Sequence, residues 1–321
     1  MPPRSIYSSL VDVGLALVTP HLARKKAFLI GIKAREVYGS HQDIRRFRDL
    51  LIGKFGFQSS DIIIMLDDEG SIQPTKVNIT AALQTFLLGQ RPGDLFVFAY
   101  AGHAKQVICR DGSERDNMDE SIITCDELER EDAFRTILDD VLHNYLVKPL
   151  APGCTLVAFL DSCHSETLLD LKHHVCNRPA LPRRILRRAR ELIGIPGAAV
   201  ATTAMRTNRF CSGFCPRINI PSATPKVICF SACKDSETIF EAEGYSMLNT
   251  IIGVLEKEPS PKLETLRSTL GKSAREIYRR ARSSNQGRRT DDEKEMQPGV
   301  VRWAPQISSM EPLQMQGRLK L

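Results

Sequence analysis

The sequence has no C-x-x-C pair, no internal repeat and no apolar run approaching ~18 residues. The last absence excludes an obvious membrane-spanning helix. The first stretch, 1–26, holds a short apolar segment interrupted by Asp12, which makes a poor secretory leader and a poor transit peptide. Nine cysteines, odd in number and scattered, do not suggest a disulfide framework. They read as reduced thiols, which implies a cytoplasmic or nuclear compartment. Cys211 and Cys215 with His173, His174 or Cys176 could make a zinc site, but their spacing is irregular and none is expected.

What is present is globular. Hydrophobic residues make up 42% and charged residues 26% of 321, enough for a substantial core in two ordinary domains or one large α/β domain with an insert. The net charge of +6 is mild, so its distribution matters more than its sum.

Short apolar runs alternate with helical periodicity. Strands are expected at 26–34, 61–69, 94–103, 154–162 and 226–235, with a last one near 300–309. Helices are expected at 40–57 (ended by Gly53 or Gly56), 75–89 (closed by Gly89), about 134–147 and about 262–282. This β-α-β alternation predicts a mainly parallel six-stranded sheet with helices on both faces. From Asn177 to Pro225 the chain turns Arg-, Pro- and Gly-rich, which predicts a long linker with at most one helix, near 182–193.

Chemistry collects at the predicted strand ends. The third strand delivers His103 and the fourth delivers Asp161 and Cys163, while Asp43 follows the first. In open parallel sheets, sites form beyond the carboxyl ends of the strands. A thiol is mostly protonated at neutral pH, and an adjacent imidazole can deprotonate it, so the pairing of His103 with Cys163 suggests a nucleophile and its base.

The stretches "YAGHAKQ" and "DSCHSET" resemble the two catalytic motifs of the metacaspases, which usually read Y-S-G-H-G and D-S-C-H-S-G. The blocks "AFLIGI", "HQDIRRFRDLLIGKFGF", "DIIIMLDD", "PTKVNI", "PGDLFVFAYAGH", "FSACKDSET" and "APQISS" follow in the family's order, so the resemblance covers about residues 26–310. It is to a type I-like core without a long prodomain. The resemblance implies a caspase-like three-layer α/β/α sandwich. Its divisions would be a short N-terminal segment (1–25), a p20-like catalytic part (26–176), an Arg/Pro-rich insert (177–225) and a p10-like part (226–321) that completes the same domain.

It further implies a cysteine endopeptidase cutting after Arg or Lys, with Cys163 as nucleophile and His103 as general base. The oxyanion would face the backbone N–H groups of Ala104 and Cys163. The pocket for the basic side chain would contain Asp43 and Asp161, with Ser40 and Ala101 where the family has Cys and Ser. A carboxylate pair suits a guanidinium and repels Asp. Asp119, Asp139, Asp140 and Asp170 match the family's calcium-binding aspartates, which implies calcium as activator. No organic cofactor is implied. The partners implied are protein or peptide substrates and the chain itself in autoprocessing, as a monomer, with no membrane partner. Regulated cell death and zymogen behaviour belong to the same implication.

Simpler roles exist for several of these residues. Asp43, Asp139 and Asp140 also suit the first turn of a helix. His164, one residue from the nucleophile, faces elsewhere and reads as structural. The cluster Arg183, Arg184, Arg187, Arg188 and Arg190 reads as a solvated face rather than a nucleic-acid surface. Three positions depart from the motifs: Ala101, Ala104 and Glu166, the last placing a carboxylate three residues past the cysteine. These departures are the support for the alternative, a weakly active or inactive caspase-fold regulatory protein.

Overall fold

A computed structural model of the chain describes residues 22–33, 39–109, 118–128, 136–163, 165, 167–177, 210–211, 213, 215, 224–233, 246–286 and 304–321. Six strands form one sheet: β1 (Lys25–Gly31), β2 (Ile62–Leu66), β3 (Leu95–Ala101), β7 (Thr155–Asp161), β8 (Lys226–Ser231) and β9 (Gln306–Ser309). Their order is β2-β1-β3-β7-β8-β9. All neighbours run parallel except β9, which is antiparallel to β8.

Both faces of the sheet are covered, which is why its strands read as continuous apolar runs rather than alternating ones. On one face Ala27, Leu29, Val97, Phe159 and Phe230 pack against α1 (Ser40–Phe55), α5 (Met247–Lys257) and α6 (Leu263–Gln286). On the other, Phe28, Ile30, Phe98 and Leu160 pack against α2 (Lys76–Phe86) and against α4 (Asp139–Leu142) with the π-helical turn His143–Val147 that continues it. The helix α1 shows how the pattern works. Ile44, Phe47, Leu51 and Phe55 recur at helical spacing and are all buried. The helix stops at Gly56, whose φ of 73° is left-handed backbone open to glycine. Gly31 lets the first turn of α1 press onto the end of β1. A Cβ there would lie 2.8 Å from Leu66 Cδ2 and 3.2 Å from the Ser40 carbonyl.

Four expectations are corrected. The helix α5 was not foreseen, although Ser246 caps it, accepting from the Asn249 N–H at 2.8 Å, and Met247, Leu248, Ile251, Ile252 and Leu255 form its buried stripe. Between β3 and β7 lies a small antiparallel sheet of β4 (Ala104–Ile108), β5 (Met118–Ile122) and β6 (Ile137–Leu138), with a short α3 (Cys125–Leu128). The polar, acidic composition of that stretch concealed it. The helix α2 ends at Phe86, before Gly89, and α6 continues to Gln286. The helix expected near 182–193 lies outside the described residues, as does the start of the one expected from 134. Among the described residues no helix is long and apolar enough to cross a membrane.

The centre of the sheet is held by stacked rings. Phe159 lies parallel to Phe230 at 5.3 Å and edge-on to Phe47 at 5.1 Å. All three are fully buried. Phe159→Ala should destabilise the chain by about 3–5 kcal/mol, measured as a lower urea midpoint. A loss below about 1 kcal/mol would show that this stack does not anchor the sheet.

Candidate active site

The pairing of β3 with β7 sets the site. It runs in register from Leu95↔Thr155 to Ala101↔Asp161. One further bond, from the Gly102 N–H to the Asp161 carbonyl at 3.3 Å, carries the pairing past the strand ends. His103 and Cys163 therefore each follow a paired residue by two positions and leave adjacent strands at the same height. Both are half-buried.

Each is anchored. The buried Tyr100 hydroxyl lies 2.5 Å from the His103 carbonyl and 2.8 Å from the Ile123 carbonyl, which share its one proton, and the Ile123 N–H donates to the His103 carbonyl at 3.0 Å. Gly102 makes room for that hydroxyl, since a Cβ there would lie 2.8 Å from it. Ala104 begins β4 and is buried, so the chain leaves His103 directly into a second sheet. Cys163 packs against the cluster of Cys233, Ala274 and Ile277, the last two on α6. Cys233 Sγ lies 3.6 Å from the Ser162 carbonyl. Glu166 and His164 lie outside the described residues.

The two acids assigned to a basic side chain meet at the start of α5. Asp161 accepts from the Leu248 N–H at 2.8 Å and from the Met247 N–H at 3.4 Å, taking up free donors of that helix end. Asp43 accepts from the Ser246 hydroxyl at 2.5 Å. Ser40 and Ala101 are buried beside them, in the first turn of α1 and at the end of β3. Loss of water pushes the Asp161 carboxyl up to about 6, and the nearby Asp43 charge adds to this against the pull of the helix N–H groups. Burial also raises Asp43, opposed by the Ser246 hydrogen bond and the Arg46 charge. Two carboxyls that both resist ionisation at one place favour a cation between them. Ser246 and the α5 N–H groups were missed from sequence because the helix was missed; the signal was a serine followed by an amphipathic run.

A second acidic group lies below β5. Carboxylate oxygens of Asp139, Asp140 and Asp170 all lie within 4.8 Å of one another. Asp119 is outside that trio but close enough for its charge to act on Asp139. Asp139 is fully buried and accepts from the Asp140 N–H at 2.7 Å and the Glu120 N–H at 3.3 Å. Burial, then the charges of Asp119 and Asp140, push it up to about 7 against those two hydrogen bonds. Asp170 has φ of 50°, a left-handed value uncommon outside glycine. Glu120 is engaged elsewhere, accepting from Thr167 at 2.6 Å and Gln106 at 2.9 Å.

A third group unites residues whose irregular spacing argued against a metal site in the sequence. His173, Cys176, Cys211 and Cys215 converge, with their ligand atoms all within 4.8 Å. The pairs are spaced x2 and x3, and the long interval between them hid the convergence.

A parallel α/β/α sandwich that brings a histidine and a cysteine to neighbouring strand ends defines the caspase-like class of cysteine peptidase. Residues 25–172 match the family model described as metacaspase, peptidase C14 domain. A metacaspase-1 of Meyerozyma guilliermondii is 34% identical over 239 residues, covering 68% of this chain and 57% of that protein. One of Yarrowia lipolytica is 32% identical over 280 residues, covering 79% and 60%. One of Scheffersomyces stipitis is 38% identical over 156 residues, covering 47% and 38%. The chain thus spans between about two fifths and three fifths of these relatives' length. A solved protein of Geobacter sulfurreducens shares the fold at TM-score 0.50 and 16% identity, over 89% of this chain and 93% of that one. The chain belongs to the metacaspases.

The raised acids give stability a definite pH dependence. Asp139 has an ordinary value of 3.8 and a folded value of about 7, and Asp161 moves the same way to about 6. Between those limits the folded chain holds protons more tightly than the unfolded one. The contribution of these two groups to stability therefore falls as pH rises from about 4 to 7, by on the order of a few kcal/mol. Asp139→Asn should flatten this slope in urea unfolding without divalent cations. An unchanged slope would contradict the assignment.

Proposed function

We propose that the chain is an endopeptidase cutting after Arg or Lys, with Cys163 as nucleophile and His103 as base. The observation that carries this reading is the register of β3 with β7, which gives both residues the same height. His103 takes the thiol proton and Cys163 Sγ attacks the scissile carbonyl. The developing oxyanion faces the backbone N–H groups of Ala104 and Cys163. His103 then protonates the departing amine, and water hydrolyses the thioester. Ala104 in place of glycine leaves the main-chain donor intact.

Specificity follows from Asp43 and Asp161, supported by their meeting at the start of α5 and by their raised values. An arginine or lysine side chain placed between them would restore the charged form of both. Ser40 keeps a polar atom where the family has Cys, and Ala101 lacks the hydroxyl of the family's Ser.

Calcium activation is supported by the chemistry of Asp139, Asp140 and Asp170. Three carboxylates with two buried members offer hard oxygen donors, and Asp139 resists ionisation because it is buried beside Asp119 and Asp140, a balance that a positive charge would reverse. Calcium, when bound, would supply that charge. Asp140 and Asp170 would complete the donors, with Asp119 at the edge. Asp170 lies seven residues beyond Cys163, so ordering these acids also orders the loop that carries the nucleophile. The arginines from 178 to 217 are in the preferred class for this pocket, and self-cleavage there is part of the proposal. The pairing of β8 with β7 would keep the two pieces together.

The test is hydrolysis of fluorogenic peptides ending in Arg or Asp, with calcium or with chelator. Arg peptides should be cleaved and Asp peptides not, and only with calcium. Cys163→Ala should abolish turnover. Asp161→Asn should lower kcat/KM at least ~30-fold, the cost of removing one partner of a desolvated charge pair. For the intact protein kcat/KM should rise with pH through about 6, as Asp161 becomes charged in the free enzyme. Equal cleavage after Asp, or full activity in Cys163→Ala, would overturn the reading.

A further inference from the structure

One group of side chains has no part in the peptidase reading. His173 and Cys176 follow Cys163 by ten and thirteen residues, while Cys211 and Cys215 come from the far end of the Arg-rich stretch. Although 34 residues separate Cys176 from Cys211, one imidazole nitrogen and three sulfurs lie within 4.8 Å of one another. We propose that His173, Cys176, Cys211 and Cys215 bind one zinc ion in a closed, structural Cys3His site.

The geometry suits that ion. His173 Nδ1 lies 3.6 Å from Cys176 Sγ. In a tetrahedron with Zn–N of ~2.0–2.1 Å and Zn–S of ~2.3 Å, the N···S edge is ~3.6 Å. The donors suit it as well. Thiolates with an imidazole select a borderline-soft cation and are poor ligands for calcium or magnesium. Three sulfurs and one nitrogen fill a tetrahedron and leave no open position, which marks a structural rather than a catalytic centre. A disulfide would use two of the three thiols and leave the third and His173 unaccounted for, and all of these cysteines are unbridged.

The site is also built rather than incidental. His173 exchanges backbone hydrogen bonds with Ser309 of β9, at 3.0 and 3.1 Å. The buried Asn177 amide donates to the His173 carbonyl at 2.6 Å and to Ser309 Oγ at 2.9 Å, fixing the first ligand pair against the sheet. The second pair is docked on the first by the Cys211 N–H, which donates to the Lys172 carbonyl at 2.9 Å. Gly213, between Cys211 and Cys215, has φ of 89°, and a Cβ there would lie 2.8 Å from Val175 Cγ1. Only glycine allows that turn to close on the 173–176 segment. The Phe210 ring meets His174 edge-on at 5.0 Å. Binding would release three thiol protons and leave a net charge of −1 beside Lys172.

The consequence is mechanical. Cys176 precedes the segment 178–209, and Cys211 and Cys215 follow it. Zinc would join its two sides and fix both to β9, so that a cut within the segment would not separate them. The site itself does not depend on any role of His103 or Cys163.

The test is zinc content of the full chain, purified without added metal, by mass spectrometry of the element. One zinc per chain is expected, released by a mercurial that blocks thiols. Exchange for cobalt(II) should give tetrahedral d–d bands with thiolate charge-transfer absorption. Cys211→Ser should weaken zinc affinity at least ~100-fold in chelator competition, and Cys125→Ser should not. His173→Cys, which keeps four ligands, should retain the ion and so separates loss of a ligand from loss of fold. A zinc-free chain that takes up none on titration would overturn the proposal. So would a disulfide among the three cysteines under non-reducing peptide mapping, or a cobalt spectrum without thiolate bands.

Discussion

Everything in the site depends on the in-register contact of β3 with β7. A slip of one residue would turn every side chain of one strand to the opposite face. Phe159 would leave Phe47 and Phe230, and Asp161 would leave the start of α5. Fully burying each such aromatic or aliphatic side chain contributes roughly 1.5–3 kcal/mol, so core packing penalises the slip heavily. The alignment of His103 with Cys163 is therefore enforced by apolar contacts that lie below it. The Tyr100 hydroxyl passes the same constraint upward, from the core to the His103 carbonyl.

The buried acids divide into two kinds. Asp94, just before β3 at the amino ends of the strands, accepts from the Arg24 and Arg91 N–H groups at 2.8 and 2.9 Å and is satisfied by the fold itself. Asp43, Asp161 and Asp139 also accept hydrogen bonds, yet burial still raises all three, and a neighbouring carboxylate adds to it at Asp161 and Asp139. Their charged forms are disfavoured where they stand. Asp161 belongs to one acidic group and Asp170 to the other, so the two groups flank the stretch that carries Cys163. The third group, with its sulfur donors, belongs to a different chemistry and stands on the far side of that loop, against β9.

The strands of the main sheet were legible because parallel strands buried on both sides are short, unbroken apolar runs, as in "AFLIGI" and "LFVFAYA". His103, Cys163, Asp43 and Asp161 were legible because each sits at a fixed offset from such a run. The small sheet β4-β5-β6 was not, since one of its strands reads Met-Asp-Glu-Ser-Ile and its burial is produced by tertiary pairing rather than by composition. The helix α5 was legible in principle from Ser246 and its apolar stripe, and with it the donors to Asp43 and Asp161 would have followed. Cys176 and Cys211 could be named together from sequence, but nothing local says that the chain returns to itself after 34 residues.

The central claim is that strand register joins one thiol and one imidazole into a working pair beside an acid-lined pocket. Affinity labelling tests it most directly. A peptidyl halomethyl ketone ending in arginine should add once per chain, and peptide mapping should find it on Cys163 among the nine cysteines. The same reagent should label His103→Ala at least ~100-fold more slowly, the scale expected for loss of a general base. Modification spread over several cysteines, or an undiminished rate at Cys163 in His103→Ala, would contradict the account.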